Sequence, residues 1–294
     1  MTESKRRPRL KNFVGTLVLV CFLWIVLRWF EYSQVYHPHR RLDQAGEALG
    51  RPWENVFFQT SDGVRLNGWF FPADPNSPRP QWAVLLCHGN AGNISHRFHY
   101  FEMLLDLGVN VFAFDYRGYG ASEGRPSEEG TYADAVAAHG WLEAKGFAPE
   151  KILALGESLG GAIAAELATR VPLGGIVLQS TFTSVPAVGA ELFPWLPVRW
   201  ISTIQYDVPV KLARTTIPVL ILHSRDDSLV GFHHAERNFA AANALKFLKE
   251  LSGDHNESLV QDPDRYRRYL DEFLKLLEEK TRVGKPPMDA NQRE

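Results

Sequence analysis

The sequence predicts an α/β domain: a mostly parallel, twisted sheet with an antiparallel N-terminal edge, helices on both faces and a minimal cap. Short apolar runs, Trp82–Cys87, Val109–Asp115, Ile152–Leu155, Gly175–Gln179 and Ile217–His223, read as strands buried on both faces. Helical stretches at 94–107, 128–145 and 162–168 alternate with them, which is the βαβ rhythm of a parallel sheet. Ahead of these, 55–60 and 64–71 alternate in polarity around Ser61-Asp62-Gly63 and read as a hairpin, so one edge runs antiparallel.

Each remaining stretch can be placed in chain order. Five basic residues, Lys5, Arg6, Arg7, Arg9 and Lys11, precede an uncharged run from Asn12 to Leu27 that Arg28-Trp29-Phe30 closes. The expected organisation is a basic cytoplasmic N-terminus over 1–11 and a transmembrane signal anchor over 12–30, close to the ~20 apolar residues a bilayer requires. A cleaved signal peptide is the rival, but no Ala-x-Ala-like site follows; Glu31 to Tyr36 is bulky and polar. The basic flank places the following domain outside the cytoplasm, in a periplasm or lumen. Residues 31–53 form a linker whose His37-Pro38-His39 is read as solvent-exposed rather than as a metal site, and the main domain spans 54–280. Helices are expected over 233–245 and near the C-terminus, the latter with Tyr266, Leu270, Phe273, Leu274 and Leu277 on one face; a last short strand is expected at 246–251, and 281–294 is a polar tail. For 185–216, too short for a separate cap domain, two readings stand. Either a helix and turn pack on the sheet, or Phe193, Trp195 and Trp200 roof an apolar pocket.

Composition narrows the function. With 32 basic and 34 acidic residues the formal charge is -2, which offers no electrostatic footprint for nucleic acid. Cys21 and Cys87 both lie in apolar runs, so no disulfide framework is expected. No Gly-x-Gly-x-x-Gly follows the early strands and no phosphate-loop lysine is present, which sets a dinucleotide-binding enzyme aside.

The chemistry centres on Gly156-Glu157-Ser158-Leu159-Gly160, between a strand-like run and an alanine-rich helix former. A serine at the apex of a strand-turn-helix projects its hydroxyl at the head of a helix, where free amides and the helix dipole favour negative charge. Such a hydroxyl needs a base within hydrogen-bond reach, itself oriented by an acid. After Ser158 the chain offers Asp226 and Asp227 behind one strand, then His255 in a glycine-containing loop behind the last strand. In a parallel sheet those loops emerge at one edge. His233 and His234 are the other histidines beyond the acids, and as a pair opening a helix they read as surface residues.

These residues, with His88-Gly-Asn-Ala-Gly-Asn93, Asp115-Tyr-Arg-Gly-Tyr-Gly120, Ser122 and Asp227-x-x-Val230, resemble the serine hydrolases of the α/β-hydrolase superfamily, over roughly residues 50 to 280. The resemblance is to the membrane-anchored branch that includes depalmitoylase-like proteins and their bacterial relatives. It implies Ser158 as nucleophile, Asp227 as acid, His255 as base, and an oxyanion hole from the backbone amides of Asn90 and Leu159. The chemistry that follows is attack on an ester or thioester carbonyl; anchoring near a bilayer suggests lipid-like or acylated substrates, and no metal or other cofactor is expected. Relatives often carry glycine at Ser224 and proline at Gly231, which bears on the stiffness of the acid loop. Asp115 and Arg117 read as braces of their glycine-rich loop rather than as substrate-binding charges. The alternative to an enzyme is a retired hydrolase fold serving as a membrane-tethered scaffold.

Overall fold

The computed structural model describes residues 7–283 in two units, one through His37 and one from Pro38 onward. The first unit is helix α1, Arg7–Val35. Its apolar span Asn12–Val35 is long and apolar enough to cross a membrane by length and composition, 24 residues at ~1.5 Å each against a hydrocarbon core of ~30 Å. The apolar run at 12–30 thus continues as helix for several further residues. Lys5 and Arg6 of the basic flank lie outside the described residues.

The second unit is built on one eight-stranded sheet. Its strands are β1 (Glu54–Gln59), β2 (Arg65–Phe71), β3 (Ala83–Cys87), β4 (Asn110–Phe114), β5 (Ile152–Glu157), β6 (Gly175–Gln179), β7 (Val219–Ser224) and β8 (Lys246–Leu251). They lie in the order β1-β2-β4-β3-β5-β6-β7-β8. β1 and β2 form the expected hairpin, with Glu54 opposite Phe70 and Gln59 opposite Arg65, and β2 also runs antiparallel to β4. From β4 to β8 every pairing is parallel. The strands read as doubly buried are so: every residue of β3 to β7 is buried, because helices cover both faces.

The helices are α2 (Phe98–Asp106), α3 (Glu128–Ala144), α4 (Leu159–Arg170), α5 (Val185–Leu192), α6 (Val198–Ile201), α7 (Val208–Leu212), α8 (His233–Ala241), α9 (Ser258–Gln261) and α10 (Pro263–Val283). α2 starts later than its sequence suggested. The Asn93 side chain accepts the Ser95 amide at 2.9 Å and caps a separate 3-10 turn, Ile94–His96, which holds the preceding loop in place. α8 is shorter than expected because the Leu245 carbonyl already accepts from Val219 N as the chain enters β8. The stripe Tyr266, Leu270, Phe273, Leu274 and Leu277 of α10 is buried in the main core beside Leu153, Val177 and Leu220. α10 takes in 281–283; the rest of the polar tail, 284–294, lies outside the described residues.

The sheet order reverses around β3, whose neighbours are β4 and β5. Loops leaving the carboxyl ends of β3, β5, β7 and β8 therefore meet at one edge.

Candidate active site

Ser158 sits between β5 and α4 with φ 52° and ψ -112°, a left-handed conformation that costs a non-glycine residue energy. The glycines on either side are packed tightly. A Cβ on Gly156 would lie 2.2 Å from the Gly160 carbonyl oxygen, and one on Gly160 would lie 1.9 Å from that of Cys87. Both glycines are thus demanded by backbone packed against backbone. The Ser158 amide donates to the Gln179 carbonyl at 2.8 Å, tying the turn to β6, and the Gln179 Oε1 accepts the hydroxyls of Tyr100 and Tyr266 at 2.6 Å each.

The other two parts arrive from far along the chain. His255 Nε2 stands 3.0 Å from Ser158 Oγ, 97 residues away, and its Nδ1 stands 2.8 Å from Asp227 Oδ2, 28 residues away. All three residues are buried, at 8%, 6% and 6% exposure, so their mutual electrostatic interactions are only weakly screened by solvent. Burial opposes the charge on Asp227. Hydrogen bonds from His223, His255 and the Val230 amide outweigh it and hold the carboxyl well below the usual carboxylate range. An ionised carboxylate only accepts, so His255 Nδ1 carries the ring proton and Nε2 is the bare nitrogen facing the serine hydroxyl.

Asp227 is inward and Asp226 outward. Asp227 Oδ1 accepts the amides of Leu229 at 3.1 Å and Val230 at 2.7 Å, a turn that aims Oδ2 at His255. Asp226 is exposed, and Arg225 pairs with Glu250 at 2.8 Å rather than with Asp226. Asp254 lies next to His255, and its Oδ1 accepts both Ser228 N at 2.8 Å and His255 N at 2.7 Å. One carboxylate oxygen therefore ties the Asp227 loop to the His255 loop. Sequence reasoning passed over Asp254, and its position between a glycine and His255 was the only signal.

The loop after β3 carries Asn90, half-buried, and the Cys87 and His88 carbonyls just before it pack against Gly160 in the first turn of α4. Tyr119 Oη donates to the Asn90 carbonyl at 2.8 Å and Tyr116 Oη to that of His88 at 2.9 Å. Arg97 Nη2 donates to the Ala91 carbonyl at 2.9 Å while its Nε lies 3.1 Å from Glu157 Oε2, which links this loop to the serine turn. Three carbonyls, those of His88, Asn90 and Ala91, are thus each engaged by a side chain, which braces the loop. Leu159, buried at 2% exposure, is the first residue of α4, where amides lack a partner within the helix.

Asp115 and Arg117 do brace their loop, though not by pairing with each other. Asp115 Oδ1 accepts the Ile94 amide at 2.9 Å, whereas Arg117 grips Asp62 at 2.8 Å and Asp134 at 2.8 Å. Phe193, Trp195 and Trp200 are not assembled into a roof. Trp195 and Trp200 are 76% and 90% exposed, and Phe193 meets Trp195 edge-on at 6.4 Å. Packing on the sheet does not describe the two tryptophans either.

His234 corrects the expectation of a surface pair. It is fully buried, its Nδ1 accepting from Thr183 N at 3.1 Å and its Nε2 facing Glu191, which His233 also bonds. Glu191, His233 and His234, like His39, Asp43 and His96, place three metal-ligand atoms near one another. In each set one histidine already accepts a backbone amide at Nδ1, His234 from Thr183 and His96 from Asn93 at 3.1 Å. The proton then sits on Nε2, toward the carboxylate, where an ion would have to displace it. Both are hydrogen-bonded imidazole–carboxylate clusters.

A family model described as serine aminopeptidase, S33, matches residues 78–211, which takes in Asn90 and Ser158 but ends before Asp227 and His255. An Arabidopsis thaliana protein, alpha/beta hydrolase domain-containing protein WAV2, is 32% identical over 76% of this chain and 78% of its own length. The chain belongs to the α/β-hydrolase family. Rv2307c, an uncharacterized protein of Mycobacterium tuberculosis, is 37% identical over 93% of this chain and 99% of its own length. Among solved structures, the Pyrococcus furiosus esterase Pf2001 superposes with a TM-score of 0.66 at 25% identity, over 82% of this chain and 97% of that one. The α/β-hydrolase fold, with its mainly parallel sheet between layers of helices, is thus common to the site described above and to a named esterase.

Proposed function

We propose that the protein is a serine hydrolase that cleaves carboxylic esters or thioesters through an acyl-enzyme on Ser158. The observation that carries this reading is the hydrogen-bonded chain Ser158–His255–Asp227, at 3.0 and 2.8 Å. His255 Nε2 takes the hydroxyl proton as Ser158 Oγ attacks the carbonyl carbon. Asp227, kept ionised, steadies the imidazolium that results. The amides of Asn90 and Leu159 receive the oxyanion, and one such donor is worth roughly 3 to 4 kcal/mol of transition-state stabilisation. His255 then returns its proton to the leaving oxygen or sulfur. Water, deprotonated by the same nitrogen, releases the acid and restores the serine.

A depalmitoylase-like role, cleavage of an acyl thioester, is the finer form of this reading. Exposed Trp195 and Trp200 with half-buried Phe193 supply apolar surface that a long acyl chain could use. The helix Arg7–Val35 would hold the enzyme at a bilayer as a single-pass anchor. Its basic flank favours a cytoplasmic N-terminus and a hydrolase domain on the other side. A reporter that works only outside the cytoplasm, fused after Glu294, should be active; activity confined to a cytoplasmic reporter would reverse that orientation.

The decisive measurement pairs fluorophosphonate labelling with p-nitrophenyl esters of graded chain length, on wild type and Ser158→Ala. Ser158→Ala should lose labelling and roughly 10⁶-fold in turnover while remaining folded. Equal labelling of the two proteins would sink the nucleophile assignment. No labelling of either would favour the retired scaffold.

A further inference from the structure

β7 ends in a second imidazole that the triad does not account for. His223 is fully buried at the threshold of the acid loop. Its Nε2 lies 2.7 Å from the Val230 carbonyl oxygen and 3.4 Å from Asp227 Oδ2. A carbonyl oxygen only accepts, so Nε2 carries the proton and Nδ1 is bare. That Nδ1 is buried and has no hydrogen-bond partner among the described residues. An unsatisfied buried nitrogen is costly, and an aliphatic side chain would fill the same space without the cost. The Nε2–H is the part of this side chain that has partners.

We propose that His223 is a positioning residue for the acid of the triad. Its Nε2–H closes the loop from β7 through the Val230 carbonyl and shares Asp227 Oδ2 with His255, so it sets how strongly the carboxylate holds the His255 imidazolium. The proposal rests on the triad reading above. The carboxylate is unusually well supplied with donors: Leu229 N and Val230 N on Oδ1, His255 at 2.8 Å and His223 at 3.4 Å on Oδ2. Asp254, beside His255, opposes the charge on Asp227 but is itself bonded to Ser228 and His255 N. On the loop itself Asp226 is exposed, and Arg225 is engaged by Glu250 on β8.

The direction of a pH effect separates this role from simple packing. Removing the His223 donor makes the carboxylate more basic, so protonated His255 is held more tightly and the acid limb of kcat/KM moves to higher pH. A loop that merely loosened would let Asp227 drift from His255, and the limb would move to lower pH. His223→Leu fills the volume without a donor, whereas His223→Gln can place an amide N–H where Nε2 stood. The experiment is the pH profile of kcat/KM of the full chain on a short-chain p-nitrophenyl ester, with fluorophosphonate labelling rates as a second readout. His223→Leu should raise the limb by about half a pH unit or more while the plateau kcat stays within a few-fold of wild type, and His223→Gln should restore the limb. If His223→Leu does not fold, His223→Asn replaces it; its shorter amide misses Oδ2, and the same rise is expected. A limb that stays or falls in the donor-less variant, or a His223→Gln that behaves like it, overturns the proposal. A wild type without Ser158-dependent turnover overturns the triad reading first, and this one with it.

Discussion

The turn that carries Ser158 and the loops that carry Asp227 and His255 meet at one point but are held there by different forces. Around Ser158 the constraint is steric: Gly156 and Gly160 touch backbone, and the helix that follows starts at the very next residue. Around Asp227 and His255 it is polar: two amides on Asp227 Oδ1, two imidazoles on Oδ2, and Asp254 bridging the loops. A steric constraint is written in adjacent residues and fails abruptly when one methyl is added. A polar one is spread over loops behind two strands, and it changes with single protons.

The largest effect is expected on the polar side. Asp227→Asn leaves the shape intact but removes the acceptor that fixes the His255 tautomer, so turnover should fall roughly 10⁴-fold. Asp226→Asn, at an exposed position, should stay near wild type on the same short-chain ester, with folding of both checked by circular dichroism. A dead Asp226→Asn beside an active Asp227→Asn would mean that the acid is the other carboxylate.

On the steric side, Gly160→Ala puts a Cβ where only 1.9 Å separates it from the Cys87 carbonyl oxygen. Overpacking of this kind costs about 1 to 3 kcal/mol or more, and the shift falls on the serine turn and the strand before the Asn90 loop. Urea denaturation should show the loss, together with a fall in turnover. Full stability and activity in Gly160→Ala would show that the turn has slack to take up the added methyl.

The smallest effect concerns acid. The folded Asp227 carboxyl titrates below its ordinary value of 3.8, so its interactions add stability above that pH. That contribution is lost as pH falls through the lower folded value. The stability difference between wild type and Asp227→Asn should therefore be flat above about pH 5 and shrink below about pH 4. A difference that persists undiminished at pH 3 would mean that the lost contribution is shape rather than charge.

Much of this was legible in advance because it depends on neighbours in sequence. Apolar runs of five or six residues declared β3 to β7, since a strand covered on both faces has no polar side to show. The hairpin followed from alternation about Gly63, and the serine turn from glycines two residues either side of Ser158. The cap did not follow: the apolar residues between 192 and 201 gave no sign that Trp195 and Trp200 would stand in solvent, because apolar character alone does not say whether a partner surface exists.

By itself, then, the chain determined its sheet, its N-terminal apolar helix and the turn on which Ser158 sits. Tertiary structure alone decided which of two adjacent aspartates faces His255, that His223 bonds Val230 and lies 3.4 Å from the same carboxylate, that Asp254 joins the two loops, and that His234 is buried against Thr183 and Glu191. The physical reason is range. Burial pattern and backbone sterics act between residues a few positions apart, whereas a hydrogen bond is made between groups that only the completed sheet brings within 3 Å, and no periodicity in the sequence records that meeting.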